Sequence, residues 1–463
     1  MNNVSLSDGL LDSVWAPYGA RGIGPKQVLI GRGVRHQLVD QVRNLRPTRV
    51  ALLIDASPMR SPEGSLKNWV AEQLARLGVP VEQVILPADT TADEIAVERA
   101  TAGCAAADVV VTVGSGTISD LGKVAAGTRP HLIVQTAASV NGYADNESVL
   151  LRNGVKRTAH SAYPHTLLVD VDIIALAPPE LNRSGLGDMI SMFTAPADWY
   201  LASQLGMDAN WSEDAALLAR KYGRDLMASS SGIGLGKPDD LELLSRLLTL
   251  SGISMGMAGQ TSPSSGMEHT VSHMLDMWAT AQHRPHRPHG AQVGVTTLWS
   301  SLLWHRVVAA LDSGLFPEVR NPCPVEAEPQ VRAVFDLMDP SGRSSDECWS
   351  DYNAKLSRMQ SVGFAERVQR LVAAWPTHRG FLTEHCLTDP REIAAALTDA
   401  GALARADDLD AGDREPTVWA LTNNHLMRNR LNVCDLAFAA GLWNEDVARE
   451  VIQEADQLVA GTA

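Results

Sequence analysis

The apolar run Asp108-Val109-Val110-Val111-Thr112-Val113 leads straight into Gly114-Ser115-Gly116-Thr117-Ile118-Ser119-Asp120-Leu121-Gly122-Lys123. That order of buried strand, glycine turn and helix constrains the fold more than any other feature of the chain. A strand followed at once by a helix is half of a β-α-β unit, and a succession of such units makes a parallel sheet. Glycines at the turn let the backbone approach a phosphate closely. The helix N-terminus then offers N–H groups and a positive dipole end to the anion. The spacing is neither that of the dinucleotide fingerprint nor that of the P-loop, and a plain tight turn reads the same way.

The first third of the chain repeats this alternation. Val50–Asp55 reads as a strand, residues 66–77 as a helix closed by Gly78, and residues 84–86 as a short strand. Thr91-Ala92-Asp93-Glu94 has the form of a capping box that starts the next helix. His131–Gln135 and residues 167–171 read as further strands. From Pro178-Pro179 onward helical periodicity dominates, as in residues 239–250, 293–311 and 364–375, while 314–330 and 405–416 read as loops. The expected architecture is an α/β Rossmann-like nucleotide-binding domain over residues 1–178, followed by an all-α metal-binding domain over 179–463.

Charge narrows the partners. The 463 residues carry a net charge of −15, which argues against nucleic acid and anionic membranes. No apolar run approaches the ~20 residues of a membrane helix. Asp8 and Asp12 interrupt the N-terminus, so no signal peptide is expected. Five cysteines, widely spread and without a Cys-x-x-Cys, suggest reduced thiols in a cytoplasmic protein.

Three segments of the helical half carry metal-ligating residue types: Ser184-Gly185-Leu186-Gly187-Asp188-Met189, Ser265 to His273, and Pro288 to Val295. One carboxylate and two imidazoles leave an open position on a divalent ion, the pattern of a catalytic site. Each has a plainer reading. Asp188 also suits a helix terminus. His269 and His273 share a helix face without a His-Glu-x-x-His motif, and His283, His286 and His289 lie in a tract that also reads as a solvated loop. Glu268 is either a partner of His269 or an ordinary helix residue.

Taken in order, these segments resemble the sn-glycerol-1-phosphate dehydrogenase family. It is a branch of the superfamily that holds iron-containing alcohol dehydrogenases, glycerol dehydrogenase and dehydroquinate synthase. The anchors are residues 114–120, Thr136-Ala137-Ala138-Ser139-Val140-Asn141-Gly142-Tyr143-Ala144, Ser184 to Asp188, Ser265 to His269, His289-Gly290 and Met427-Arg428-Asn429-Arg430-Leu431. The resemblance implies a dehydroquinate synthase-like fold that binds NAD or NADP. Gly114, Gly116 and Thr117 would hold the pyrophosphate, with Asp120, Thr136 and Ser139 nearby and Asp55 on the ribose. It implies one divalent metal, zinc or else nickel or iron, on Asp188, His269 and His289. Asn141 and His273 would serve the reaction and the substrate, and Lys156 the substrate phosphate, although Lys156 also reads as a solvated loop lysine. The implied reaction is hydride transfer between the nicotinamide and dihydroxyacetone phosphate, in a cytoplasmic homodimer.

The chain also departs from the family. Asn141 stands where an Asp is usual and Asp145 where a Ser is usual. Asp145 would repel a phosphate unless a cation intervenes, so the two changes together suggest an altered substrate. Pro196 is expected to kink or shorten the helix after Asp188. Two other functions fit the same features less closely: a carbocycle-forming lyase like dehydroquinate synthase, and a degenerate member that binds without turnover.

Overall fold

The computed structural model describes residues 19, 21–152, 155–319, 321, 323–409 and 413–462. The expectations resting on Asp8 and Asp12 lie outside the described residues. The chain forms two compact units: residues 1–152, 156–189 and 229–259 in the first, and 153–155, 190–228 and 260–463 in the second. These differ from the continuous pair 1–178 and 179–463, because two helical segments, 179–189 and 229–259, pack with the α/β elements.

The first unit is built on six parallel strands: β1 (Gln27–Gly31), β2 (Val50–Asp55), β3 (Val81–Leu86), β4 (Val109–Gly114), β5 (His131–Gln135) and, after the hairpin strands β6 (Glu147–Arg152) and β7 (Val155–His160), β8 (Thr166–Asp170). Their order across the sheet is β1-β8-β5-β4-β2-β3. Side chains alternate across the strands, so each face has its own core. On one face Leu52, Ile54, Val111 and Val113 pack against Leu38 and Val42 of helix α1 (Leu38–Asn44) and Leu66, Val70 and Leu74 of α2 (Leu66–Ala75). On the other face Ala51, Leu53 and Val110 meet Ala96, Ala100 and Cys104 of α3 (Glu94–Cys104) and Ile118, Leu121 and Ala125 of α4 (Gly116–Ala126). The chain leaves β2 for β3 on one side and returns to β4 on the other, so the ends of β2 and β4 flank the point where strand order reverses.

Local chemistry sets the element ends. The cap of α3 is Asp93, whose side chain accepts from the N–H of Ala96, not the expected Thr91. The Thr91 hydroxyl donates to that same carboxylate at 3.2 Å. The β6–β7 hairpin is an addition to the sequence reading, and it places Lys156 on a strand.

After Asp170 the described residues contain no strand. The helices used below are α5 (Pro179–Met189), α6 (Ala195–Gln204), α7 (Pro238–Ala258), α8 (Met267–Ala281), α9 (His289–Asp312), α10 (Pro324–Asp336), α11 (Arg343–Val362) and α12 (Val433–Ala439). α10 occupies the end of a segment expected to be loop: Pro324 takes the first helical turn, where its missing N–H costs nothing. Pro196 likewise sits in the first turn of α6. The helical path after Asp188 breaks into a short 3-10 turn, 190–193, and restarts, so the proline shortens the helix as expected.

Within the first unit, α5 and α7 grip the segment that follows β5. A Cβ on Gly185 of α5 would stand 1.8 Å from the carbonyl oxygen of Ala138, and one on Gly252 of α7 would stand 2.8 Å from that of Asn141. Only glycine permits either approach. Asn182 adds a hydrogen bond to the N–H of Ala138 at 3.0 Å. The segment carrying Ser139 and Asn141 is therefore fixed by helices beyond the sheet.

Candidate functional site

Asp55, Gly114 and Thr136 stand at or just beyond the C-terminal ends of β2, β4 and β5, three neighbours in the sheet. Ile54 pairs with Val113, so Asp55 and Gly114 are the next positions outward at the strand-order reversal. Gly114 is crowded: a Cβ there would lie 2.5 Å from that of Ile118. Ser115 caps α4, and Gly116 and Thr117 form its first turn with backbone N–H groups facing outward along the helix axis. Gly122 serves packing, since a Cβ on it would fall 2.2 Å from the Thr112 methyl on β4. The Ser139 hydroxyl is 3.0 Å from that of Tyr143.

Asp55 and Asp120 have protein partners of their own. The Asp55 carboxylate accepts from the N–H of Ser57 and pairs with Lys67, a nearly buried ammonium. Asp120 accepts from the N–H of Val149 at 3.2 Å, tying α4 to β6. Burial pushes its carboxyl up to about 7, with Lys123 and Lys156 pulling it down and Asp145 pushing it up. Lys156 is half-buried on β7 within the electrostatic reach of Asp120.

Asp145 corrects the reading of the 139–145 segment. It is 3% exposed, and the fully buried ammonium of Lys123 lies 2.5 Å from its carboxylate. Lys123 also donates to the carbonyls of Gly142 and Glu147. The cation needed to offset the extra carboxylate comes from the chain itself, and the pair braces the segment from below. Asp145 therefore gives no ground for an altered substrate, which leaves Asn141 as the one departure in the segment that bears on chemistry.

Asp188 ends α5 and is completely buried. Its Oδ2 accepts from the backbone N–H of Asn141 at 2.7 Å, while the Asn141 amide donates to the Ser251 hydroxyl on α7 at 3.1 Å. In the second unit α8 presents His269 and His273 one turn apart, and His289 opens α9 with its ring centroid 5.2 Å from that of His269 and 5.4 Å from that of His273. Asp188 belongs to the first unit, and His269, His273 and His289 belong to the second. Of the histidine tract, His283 and His286 are exposed, and His286 pairs with Asp276 at 3.3 Å.

The hydrogen-bond partners of the three imidazoles separate their roles. His269 Nδ1 donates to the fully buried Glu268 at 3.0 Å, and Glu268 is itself held by the N–H of Gly266 and the hydroxyl of Thr194. Ser272 gives its hydroxyl proton to Gln292 at 2.7 Å, so its oxygen accepts from His289 Nδ1 at 3.0 Å. With the Nδ1 proton committed in both rings, Nε2 is the donor atom toward a metal. His273 is the opposite case. Its Nδ1 is met by the guanidinium of Arg428, and a guanidinium has no acceptor. Nδ1 must therefore be the acceptor, and the neutral ring carries its proton on Nε2. The sequence reading missed Glu268 as a settled partner, Lys123 as a brace and Arg428 as a site residue. Arg428 stood in a family-like segment, which was the available signal.

Residues 29–178 match the family model described as iron-containing alcohol dehydrogenase. A glycerol-1-phosphate dehydrogenase (NAD(P)+) of Methanosarcina acetivorans is 32% identical over 294 residues, 62% of this chain and 80% of that one. A protein of the same name from Bacillus subtilis is 28% identical over 63% of this chain and 74% of its own length. Among solved structures, a probable glycerol dehydrogenase from Sinorhizobium meliloti superposes with a TM-score of 0.58 at 15% identity, over 95% of this chain and 98% of that one. Glycerol dehydrogenase from Schizosaccharomyces pombe gives 0.58 at 14% identity, over 95% and 91%. At such identities the structures speak for the fold, an α/β nucleotide-binding half followed by a helical half. The Methanosarcina relative, matched over four-fifths of its length, carries the narrower assignment: the chain belongs to the glycerol-1-phosphate dehydrogenase family.

Proposed function

We propose that this protein is an NAD(P)-linked, metal-dependent oxidoreductase that interconverts dihydroxyacetone phosphate and sn-glycerol 1-phosphate. The observation that carries the reading is the polarity of the histidines: His269 and His289 have Nδ1 committed to acceptors, while His273 has Nδ1 committed to a donor. Two rings are thus prepared as ligands and the third as a hydrogen-bond donor. A donor set of one buried carboxylate and two imidazoles suits a divalent ion with a coordination position left for substrate.

In this reading Asp188, His269 and His289 hold the metal. Gly114, Gly116 and Thr117 receive the pyrophosphate, with Thr136 and Ser139 beside it. Asp55 takes the ribose hydroxyls in concert with Lys67. Asp120 stands near the nucleotide pyrophosphate, and Lys156 takes the phosphate of the substrate. When bound, the nucleotide carries the hydride and the metal supplies Lewis acidity toward a carbonyl or alcohol oxygen. The chain's own part is placement. Glu268 and Ser272 fix the ligand rings, Asn141 and Ser251 orient the polyol, and His273 offers Nε2–H to the reacting oxygen. Preorganised donors aimed where negative charge develops are the largest lever such a site has. The cytoplasmic homodimer and the choice of zinc, nickel or iron belong to the same proposal.

The test is oxidation of NADH and NADPH with dihydroxyacetone phosphate, on protein reconstituted in turn with zinc, nickel and iron. Metal-dependent oxidation that yields sn-glycerol 1-phosphate is the expected result. Binding of both metal and nucleotide with no oxidation would overturn it.

A further inference from the structure

Lys355 lies in the middle of α11 and is 1% exposed. Burying an ammonium costs several kcal/mol unless acceptors surround it. Here they do: Nζ lies 2.5 Å from the carbonyl oxygen of His425, 3.4 Å from that of Arg430 and 2.7 Å from the Asp435 carboxylate, and 5.0 Å from the Tyr352 ring centroid. The two carbonyls bracket one short turn. Asp435 completes the grip from the far side, since its other oxygen accepts from the N–H of Asn432 at 2.9 Å in the capping box of α12. The Asn432 amide reaches back to Asn424 at 3.2 Å, and the His425 ring stacks on Phe438 at 4.3 Å. The turn 424–432 is thus pinned at both ends from one buried cation.

What the turn carries explains why so costly a group is kept there. Between the pinned ends, Arg428 reaches His273, and Arg430 reaches the carbonyl of Ser265 at 2.5 Å and the hydroxyl of Thr261 at 2.7 Å. Arg430 addresses the segment that leads into α8, and Arg428 addresses α8 itself and sets the tautomer of His273. A guanidinium acts on a ring nitrogen only within a few tenths of an ångström and over a narrow range of angles.

We propose that Lys355 is a positioning residue for the reaction: its ammonium holds the turn 424–432 in the shape that delivers Arg428 to His273. The inference rests on the reading of His273 given under the proposed function. Lys355 touches neither substrate nor nucleotide in this scheme and acts only through the turn.

The experiment uses the full-length, metal-loaded protein. The clamp is removed with Lys355→Met and Asp435→Asn together, so that no uncompensated charge is left behind. Hydrogen exchange is measured over residues 424–432, and kcat and KM for dihydroxyacetone phosphate are measured with and without Arg428→Ala. Amide exchange in the turn should quicken about tenfold or more. The paired substitution should lower kcat/KM about tenfold in the otherwise native chain and less than about twofold when Arg428 is already alanine. Equal losses in the two backgrounds, or unchanged exchange, would overturn the proposal. Should the paired variant fail to fold, Lys355→Gln, which keeps a shorter N–H donor, carries the same readouts. If the native protein does not reduce dihydroxyacetone phosphate, the functional reading fails separately, and the exchange data still decide whether Lys355 holds the turn.

Discussion

The backbone N–H of Asn141 donates to Oδ2 of Asp188 at 2.7 Å, across 47 residues of chain. Because the donor is main chain, the side chain at 141 is not needed to hold the carboxylate. On the proposed reading, the departure from the family's Asp leaves Asp188 in place and changes only what the side chain offers to Ser251 and to substrate. Asn141→Ala should keep its metal and lower kcat/KM by about tenfold, the scale of one hydrogen bond lost in a closed site. Metal content by atomic emission and steady-state kinetics separate the two effects. Loss of metal in this variant would mean that the side chain, not the backbone, secures Asp188.

Glu268 is buried, and its carboxylate accepts from His269 Nδ1, the ring proposed as a ligand. Replacing its charge with an amide, Glu268→Gln, should weaken metal binding about 10–100-fold, the usual consequence of losing the carboxylate behind a ligating imidazole. Competition with a chelator of known affinity measures this directly. An unchanged affinity would return Glu268 to the status of a helix residue.

His289→Ala removes a proposed ligand in α9 while leaving the glycine turn at β4 untouched. Nucleotide binding should persist, and bound metal and turnover should both be lost. Retention of metal and activity would show that the ligand set is misassigned.

Lys123 and Asp145 are a buried pair; Lys123 also donates to the carbonyls of Gly142 and Glu147 and stands 3.9 Å from the Asp120 carboxylate, and Asp145 accepts from the N–H of Glu147. Lys123→Met leaves a carboxylate in the interior without its cation and should cost about 3–5 kcal/mol of stability. Adding Asp145→Asn should recover a large part of that, because the stranded charge is gone. Urea denaturation of the three proteins checks the order.

Two buried imidazoles set the acid limit. Burial lowers His131 to about 3, with Lys123 helping, and lowers His425 to about 3, with Lys355 helping. Both rings stay neutral in the folded chain while the unfolded chain binds protons below its ordinary pKa of about 6.5. Stability from these groups is therefore fully present above about pH 6.5 and falls as pH drops toward 3. Each should account for about 1 kcal/mol of the loss by about pH 5.5. His131→Gln should flatten part of this decline in thermal melts; an equally steep decline would remove His131 as a source.

The sequence by itself determined the α/β half and the glycine turn, and it singled out the three residues proposed as metal donors. Those rest on short-range rules: alternating apolar residues make strands, glycine permits close approach, and carboxylate and imidazole are the side chains that ligate hard or borderline ions. Tertiary structure alone decided what each polar group is for. Asp145 looked like a charge facing substrate and proved to be the counterion of Lys123, because the two meet only when α4 packs beneath the 139–145 segment. His269, His273 and His289 looked alike in sequence and diverge through Glu268, Ser272 and Arg428, the last 155 residues away from the ring it polarises. Segment 229–259 read as part of a helical domain, yet Gly252 and Ser251 seat it on the α/β unit. In each case the deciding interaction is a hydrogen bond or ion pair between distant positions, whose strength depends on burial and angle, and neither is encoded in any local stretch of residues.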